Sequence, residues 1–296
     1  MEQTRLWLFV KFRELKGVTF GNVGLYRALI VLLRHVNIKV LYYFMYIFVI
    51  PVTMVVSRGA RITFRYFHKQ REMGWWKSLV STYRNHCVFG QTVIDKFAMY
   101  AGHKFKVTLN GFEQYKELVA KDEALIQLNA HVGCSEILGY SCSAGKPCNV
   151  LVFGGEKASL MHYRKASFGD MNIRMIPVGV GDSHSDEIID ALDRKEIVCA
   201  FADRYMNEKK VVRSTIQGKE VLLARGPFSL AVTRGIDVVM VSAMKERDGS
   251  YTAFFTPLHY DKLLTKTQQR QQLADAYTAE IERLLKMYPM QWFNYV

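Results

Sequence analysis

From about residue 105 onward, short apolar runs bounded by turn residues alternate with stretches of helical periodicity, and few folds tolerate that pattern. Ala124–Asn129, Asn149–Phe153, Ile173–Val178, Ile197–Ala202 and Asp237–Met244 predict strands; Ser135–Ala144, Lys157–Phe168, Asp186–Arg194 and Pro227–Arg234 predict helices. A strand that is apolar along its whole length must be covered on both faces. The pattern therefore predicts an α/β fold, with a mainly parallel, twisted sheet flanked by helices. Tyr251–Leu258 is expected to add an antiparallel edge strand, and Lys266–Met287 a last helix that leads into an aromatic tail at 288–293. Open sheets of this kind receive ligands beyond the carboxyl ends of their strands, so the loops there are where chemistry is expected.

The first hundred residues read differently. Residues 1–80 hold thirteen Lys and Arg against three acidic residues, which concentrates most of the chain's formal charge of +13 in its first quarter. Such a segment faces nucleic acid or an anionic membrane. Here the charges bracket Val40–Val56, VLYYFMYIFVIPVTMVV, which has none. As a helix this run is roughly 25 Å long, slightly short of a hydrocarbon core, and Pro51 interrupts it. Membrane contact is therefore expected and nucleic acid is not. Tyr42, Tyr43 and Tyr46 suit an interface, and, if the run spans, Arg58, Arg61, Arg65, Lys69 and Arg71, which follow directly, place the rest of the chain on the cytoplasmic side. The run either spans once or dips into one leaflet; the alternative is a buried core helix. Trp75–Ala101 then predicts one or two amphipathic helices. The expected division is a basic, membrane-associating helical region over residues 1–100 and an α/β domain over 101–296.

Half of the 296 residues are hydrophobic, enough for a full core, and only one long uncharged run is present. This excludes a disordered tail, a disulfide-stapled miniature and a multi-span transporter. Five cysteines, odd in number and without C-x-x-C spacing, suit a reducing compartment and indicate no zinc site.

One strand exit carries a pattern with chemical content. Leu125-Ile126-Gln127-Leu128-Asn129-Ala130-His131-Val132-Gly133-Cys134-Ser135-Glu136 places a histidine after the strand and a carboxylate five residues later. In a continuous helix the two side chains would lie roughly 140° apart, so their meeting requires a bend, which Gly133 allows. Glu136 would then sit in a first helical turn within reach of the imidazole, leaving the other ring nitrogen free to take a proton from a hydroxyl. Exposed N–H groups at the same helix start are candidates to stabilise an oxyanion. His131 is the sole H-x4-[D/E] match in the chain, although chance alone supplies roughly 0.7 such pairs, so the strand–turn–helix context is what lends it weight.

These residues resemble the H-x4-[D/E] block of the lysophospholipid acyltransferase superfamily. Later blocks resemble its bacterial lipid A late-acyltransferase branch, the lauroyl and myristoyl transferases: Leu192-Asp193-Arg194 through Ala202-Asp203-Arg204, Gln217-Gly218-Lys219 through Gly226-Pro227-Phe228, and Pro289-Met290-Gln291-Trp292. Order and spacing agree over about residues 120–295. The resemblance implies transfer of a fatty acyl group from an acyl carrier protein or coenzyme A thioester to a hydroxyl of a lipid acceptor, such as a lipid A precursor or a lyso-lipid. It makes His131 the base and Glu136 its orienting group, with no metal and no bound cofactor beyond the acyl co-substrate. Asp203 and Arg204, at another strand exit, match the family's Asp-containing block and are candidates for substrate binding. An alanine separates Asn129 from His131 where many members have Asn-His directly, and Arg164 is the candidate arginine for a substrate or oxyanion contact. The partners so implied are an acyl carrier protein, anionic membrane lipid and the lipid acceptor, at the cytoplasmic face of the inner membrane.

Two competing readings stand beside this one. Gly133-Cys134-Ser135-Glu136-Ile137 is one residue short of G-x-S-x-G, and Asp203 and His259 follow in the order of a serine hydrolase. A lipid-binding protein that keeps the fold without turnover is the other. Cys134 reads as packing, because reactivity needs a base beside the thiol.

Overall fold

The computed structural model describes residues 23–137, 145–153, 172–179 and 183–295. In chain order, α1 (Val23–His35) is followed by a helical stretch from Ile38 to Val56. This stretch comprises α2 (Ile38–Phe44), a π turn at Met45–Val49 and α3 (Ile50–Val56), with Pro51 directly after the π turn. Next come α4 (Arg58–Arg65), capped by the Ser57 side chain, a π turn at Tyr66–Gln70 and α5 (Trp75–Tyr100), a single helix of 26 residues.

Then β1 (Val107–Asn110), α6 (Phe112–Ala120), β2 (Leu125–Asn129), a 3-10 turn at Ser135–Ile137, β3 (Cys148–Phe153), β4 (Ile173–Val178), α7 (Ser183–Asp193) and β5 (Ile197–Phe201). The chain continues through a hairpin of β6 (Val211–Ile216) and β7 (Lys219–Ala224), α8 (Arg225–Arg234), β8 (Asp237–Lys245), β9 (Tyr251–Leu258) and α9 (Lys266–Met287). A capping box between Thr265 and Gln268 starts α9 at the predicted residue.

Seven of these strands form one sheet in the order β1-β9-β8-β2-β5-β3-β4. From β8 through β4 every pairing is parallel; β9 runs antiparallel to β8, and β1 parallel to β9. The mainly parallel α/β architecture is the expected one. One strand reading changes. Tyr251–Leu258 is antiparallel, as expected, but interior, because β1 covers its outer edge. The block after Ile216 is a hairpin, with Gln217 (φ 53) and Gly218 (φ 73) in the left-handed region that a two-residue hairpin turn requires. Residues 138–144 of one predicted helix and all of Lys157–Phe168 lie outside the described residues.

The central strands are buried on both faces, β2 and β5 almost entirely. One face carries Ile126, Leu128, Val198, Ala200 and Met240 against α8 and α9; the other packs Leu125, Ile197, Val239 and Val241 against α6 and the end of α5. Tyr277 of α9 is fully buried and donates to the Asn129 carbonyl at 2.8 Å, satisfying an acceptor where β2 ends.

α5 is fastened at two places. Asn85 donates its amide to the carbonyls of Met290 (2.9 Å) and Trp292 (3.0 Å) and lies 2.8 Å from the Tyr295 hydroxyl. Asp95, fully buried, forms an ion pair with Lys245 at the end of β8 and accepts from the hydroxyls of Tyr42 and Tyr251. The ammonium also sits over the rings of Tyr42, Phe105 and Tyr251 at 5.0–5.7 Å. Removing one partner leaves an uncompensated buried charge, so Asp95→Asn is expected to cost about 3–5 kcal/mol in chemical unfolding. Asp95→Asn with Lys245→Met is expected to recover a large part of that loss.

Candidate active site

Parallel strands in register carry residues of equal offset side by side. Asn129 of β2 pairs with Phe201 of β5, and the ladder runs on by one bond from Ala202 N–H to the Asn129 carbonyl (3.3 Å). Two residues beyond each paired position stand His131 and Asp203. Their side chains meet: His131 Nδ1 lies 2.9 Å and 3.1 Å from the two Asp203 oxygens, and the His131 main-chain N–H donates to Oδ2 at 2.8 Å. One carboxylate thus holds both the ring and its backbone. The His131 side chain is 30% exposed and that of Asp203 is 4%, so the imidazole bridges a buried anion and open solvent. With Nδ1 donating to a carboxylate, Nε2 is the basic nitrogen. The Phe201 ring, with its centroid 4.8 Å away, limits the tilt of the imidazole.

Burial alone would push the Asp203 carboxyl up. The electrostatic attraction of His131, the two kinds of hydrogen bond from it and the Arg204 charge outweigh it and hold the carboxyl below its ordinary value.

The bend after His131 comes from Gly133. Its φ of +64° is in the left-handed region, and any Cβ there would overlap the Ala243 carbonyl oxygen. That carbonyl accepts from Cys134 N–H (2.8 Å), while Gly133 N–H donates to the Gln291 carbonyl (2.9 Å). These two amides are therefore engaged within the protein. The tail grips the same loop: Val132 bridges Trp292, Phe293 N–H donates to the His131 carbonyl (2.9 Å), and the Gln291 side chain bonds both N–H (2.9 Å) and C=O (2.7 Å) of Lys245.

The site residues expected from sequence are distributed as follows. His131 stands at the strand exit with a carboxylate on one nitrogen, but that carboxylate is Asp203 and not Glu136. Three residues of 3-10 turn carry Glu136 toward α5, where Lys96 Nζ lies 2.8 Å from one oxygen and the Tyr100 hydroxyl 3.3 Å from the other. Asp203 is thus the imidazole's partner. Arg204 turns to the tail, with Nε 3.1 Å from Asn294 Oδ1 and Nη2 3.3 Å from the Phe293 carbonyl. Arg164 lies outside the described residues. Burial pushes the Cys134 thiol up to about 12, which fits packing.

The hydrolase arrangement does not assemble. Leu258 pairs with Val238 at the start of β8, so His259 leaves the sheet at the edge opposite Ser135 and Asp203. What sequence reasoning missed is the Asp203 partnership and the bracing by the tail. The sequence signal was only that His131 and Asp203 each follow closely on an expected strand.

A model of the family described as bacterial lipid A biosynthesis acyltransferase matches residues 101–294. Among solved structures, the chain is similar to the crystal structure of the 1-acyl-sn-glycerophosphate (LPA) acyltransferase PlsC from Thermotoga maritima. Identity is 16%, the match covers 86% of this chain and 99% of that one, and the TM-score is 0.37. No curated protein matches.

The geometry sets two expectations. A carboxyl lowered in the folded state stabilises the fold above its unfolded pKa and loses that contribution as pH falls through the lower folded value. The stability gap between wild type and Asp203→Asn, measured by unfolding across pH, is therefore expected to be full above about pH 4 and to close as pH falls below it. Gly133→Ala is expected to unfold at lower denaturant, since backbone meets backbone there and neither side yields cheaply.

Proposed function

We propose, for a chain that belongs to the bacterial lipid A biosynthesis acyltransferase family through residues 101–294, a transfer step in which His131 is the general base and Asp203 its positioning group. The chain is an acyltransferase acting on lipids. In the step we assign, His131 Nε2 takes the proton of a lipid hydroxyl as its oxygen attacks the carbonyl of an acyl thioester. The imidazolium that forms lies against the Asp203 carboxylate, and the proton passes on to the departing thiolate. The donor is an acyl carrier protein or coenzyme A thioester, and the acceptor a lipid A precursor or lyso-lipid. Arg164 is assigned to the oxyanion or substrate. The observation that carries this reading is an imidazole gripped from one side by a buried carboxylate, with its ring part-exposed at the ligand-binding edge of the sheet.

The bilayer enters through the Ile38–Val56 stretch, the helical stretch among the described residues that is long and apolar enough to cross a membrane. One side of it is closed against α5: Met45 fills the space over Gly90, Tyr42 donates to Asp95, Gln91 bonds the Tyr46 hydroxyl, and Tyr83 donates to the Tyr46 carbonyl (3.0 Å). The other side is bare, with Tyr43, Phe44, Ile47, Phe48, Val52, Val55 and Val56 exposed. Trp75 and Trp76 at the start of α5 are exposed as well, and Arg58, Arg61, Arg65, Lys69 and Arg71 point to solvent. A helix covered on one side and greasy on the other suits a seat in the plane of one leaflet, with basic groups toward anionic headgroups. We therefore assign a monotopic position at the cytoplasmic face of the inner membrane. A reducing compartment agrees with the free cysteines 87, 134, 148 and 199.

Two experiments test this. In an assay with acyl carrier protein or coenzyme A thioesters, His131→Ala and Asp203→Asn are each expected to lower kcat about 10²–10⁴-fold. Ser135→Ala is expected to retain turnover; loss with Ser135→Ala alone would favour hydrolysis, and mass spectrometry of lipid extracts with and without the gene would name acceptor and chain. For the membrane seat, Ile47→Glu with Phe48→Glu is expected to weaken binding to vesicles containing anionic lipid at least about tenfold, since each lost apolar burial is worth about 1.5–3 kcal/mol. Added salt is expected to weaken the wild type's binding too.

A further inference from the structure

Three guanidinium groups from three separate elements converge on one cavity. Arg213 of β6, Arg225 at the start of α8 and Arg270 in the second turn of α9 line a space of about 290 Å³, together with Thr267 and Gln271. No acidic side chain lines it among the described residues. The frame is fixed by bonds between those elements. Arg225 N–H donates to the Lys210 carbonyl (3.0 Å), Gln271 Nε2 to the Arg213 carbonyl (2.8 Å), and Arg270 Nη1 to the Ser229 hydroxyl (3.4 Å).

The charge gathered there is poorly compensated. Arg225 is exposed and has no ion pair or side-chain hydrogen bond among the described residues. Arg270 is half-buried, and its partners among them are two neutral hydroxyls, those of Ser229 and of Thr267 (3.3 Å). Arg213 meets the carboxylate of Glu220, but both side chains are more than half exposed, so water screens the pair. The nearby Asp275 is taken up by the Ser214 hydroxyl (2.6 Å) and by Gln271 Nε2 (2.9 Å). α8 begins at this cavity without a side-chain cap, so its dipole adds to the same positive potential. Three like charges held around one space are unfavourable until an anion enters it.

We propose that Arg213, Arg225 and Arg270 form a phosphate-binding site, which holds a phosphate group of one of the two substrates of acyl transfer. This rests on the acyl-transfer reading above. A phosphate group offers several strong acceptor oxygens, and planar guanidinium forks match them two at a time. The cavity is also joined to the catalytic strand exit. Ala224 N–H, next in sequence to Arg225, donates to the carbonyl of Ala202, next in sequence to Asp203, at 2.8 Å. A phosphate on a soluble acyl donor and one in a lipid headgroup present the same chemistry to these arginines.

The test is titration of the full-length protein in detergent with inorganic phosphate at constant ionic strength, followed by kinetics. Arg225→Gln with Arg270→Gln is expected to weaken phosphate binding at least about tenfold. Arg225→Gln alone, which breaks no side-chain bond among the described residues, is expected to weaken it at least about threefold. Lys219→Gln removes an exposed charge at the other end of the hairpin and is expected to leave binding unchanged. Three results overturn the proposal: no phosphate binding by the wild type, unaltered binding in the double variant, or an equal loss in Lys219→Gln, which would mean general attraction to a basic protein. In the transfer assay the double variant is expected to raise KM for one substrate at least about fivefold, with kcat within about twofold of the wild type. A raised KM for the acyl donor assigns the phosphate to the donor, and a raised KM for the lipid acceptor assigns it to the headgroup. Unchanged KM for both overturns the proposal. If the wild-type protein transfers no acyl group from any thioester, the acyl-transfer reading falls on its own, and the phosphate titration still decides whether the three arginines form a site.

Discussion

Because β2 and β5 run parallel with Asn129 opposite Phe201, their exits lie side by side, and the Asp203 carboxylate reaches both the ring and the main chain of His131. The rest of the site is arranged around that contact. A carboxylate 4% exposed is tolerable only while hydrogen-bonded, and the three contacts from His131 supply the compensation that burial demands. The same contacts leave the imidazole a single orientation. A side chain that would otherwise rotate freely is thereby fixed at the edge of the sheet.

Holding the loop in that place takes material from distant parts of the chain. Gly133 permits the turn, Ala243 of β8 closes on it, and the aromatic tail at 288–295 lies across it and is fastened in turn by Asn85, Arg204 and Tyr66, whose ring meets Trp292 edge-on and Tyr295 at a tilt. Most of these bonds go to main-chain atoms. Main-chain anchoring suits a loop whose geometry, more than its side-chain identity, has to be kept. The cost is that the site depends on residues more than 150 positions away.

The helical stretch at Ile38–Val56 shows how polar atoms decide where a greasy helix lies. Its length and hydropathy alone would allow it to span. Tyr42 and Tyr46, however, are bonded to Asp95 and Gln91 of α5, and pulling the stretch away would strand a buried carboxylate without one of its donors. The apolar side chains that remain exposed are those on the opposite face.

Periodicity and burial rules were enough to read the parallel sheet, the long helices and the basic, apolar start of the chain, since these are local properties. The sequence also singled out His131 and, through the later blocks, Asp203. It could not say that these two belong together, because strand register is a property of pairing between segments 72 residues apart, and nothing local encodes it. The carboxylate five residues from His131 looked like its partner for the same reason: nearness along the chain was the only distance a sequence displays. In the folded protein a three-residue turn carries Glu136 to α5, and the adjacent parallel strand delivers Asp203 in its place. Local pattern thus determined which residues were capable of the chemistry, whereas the order and register of the strands decided which of them meet.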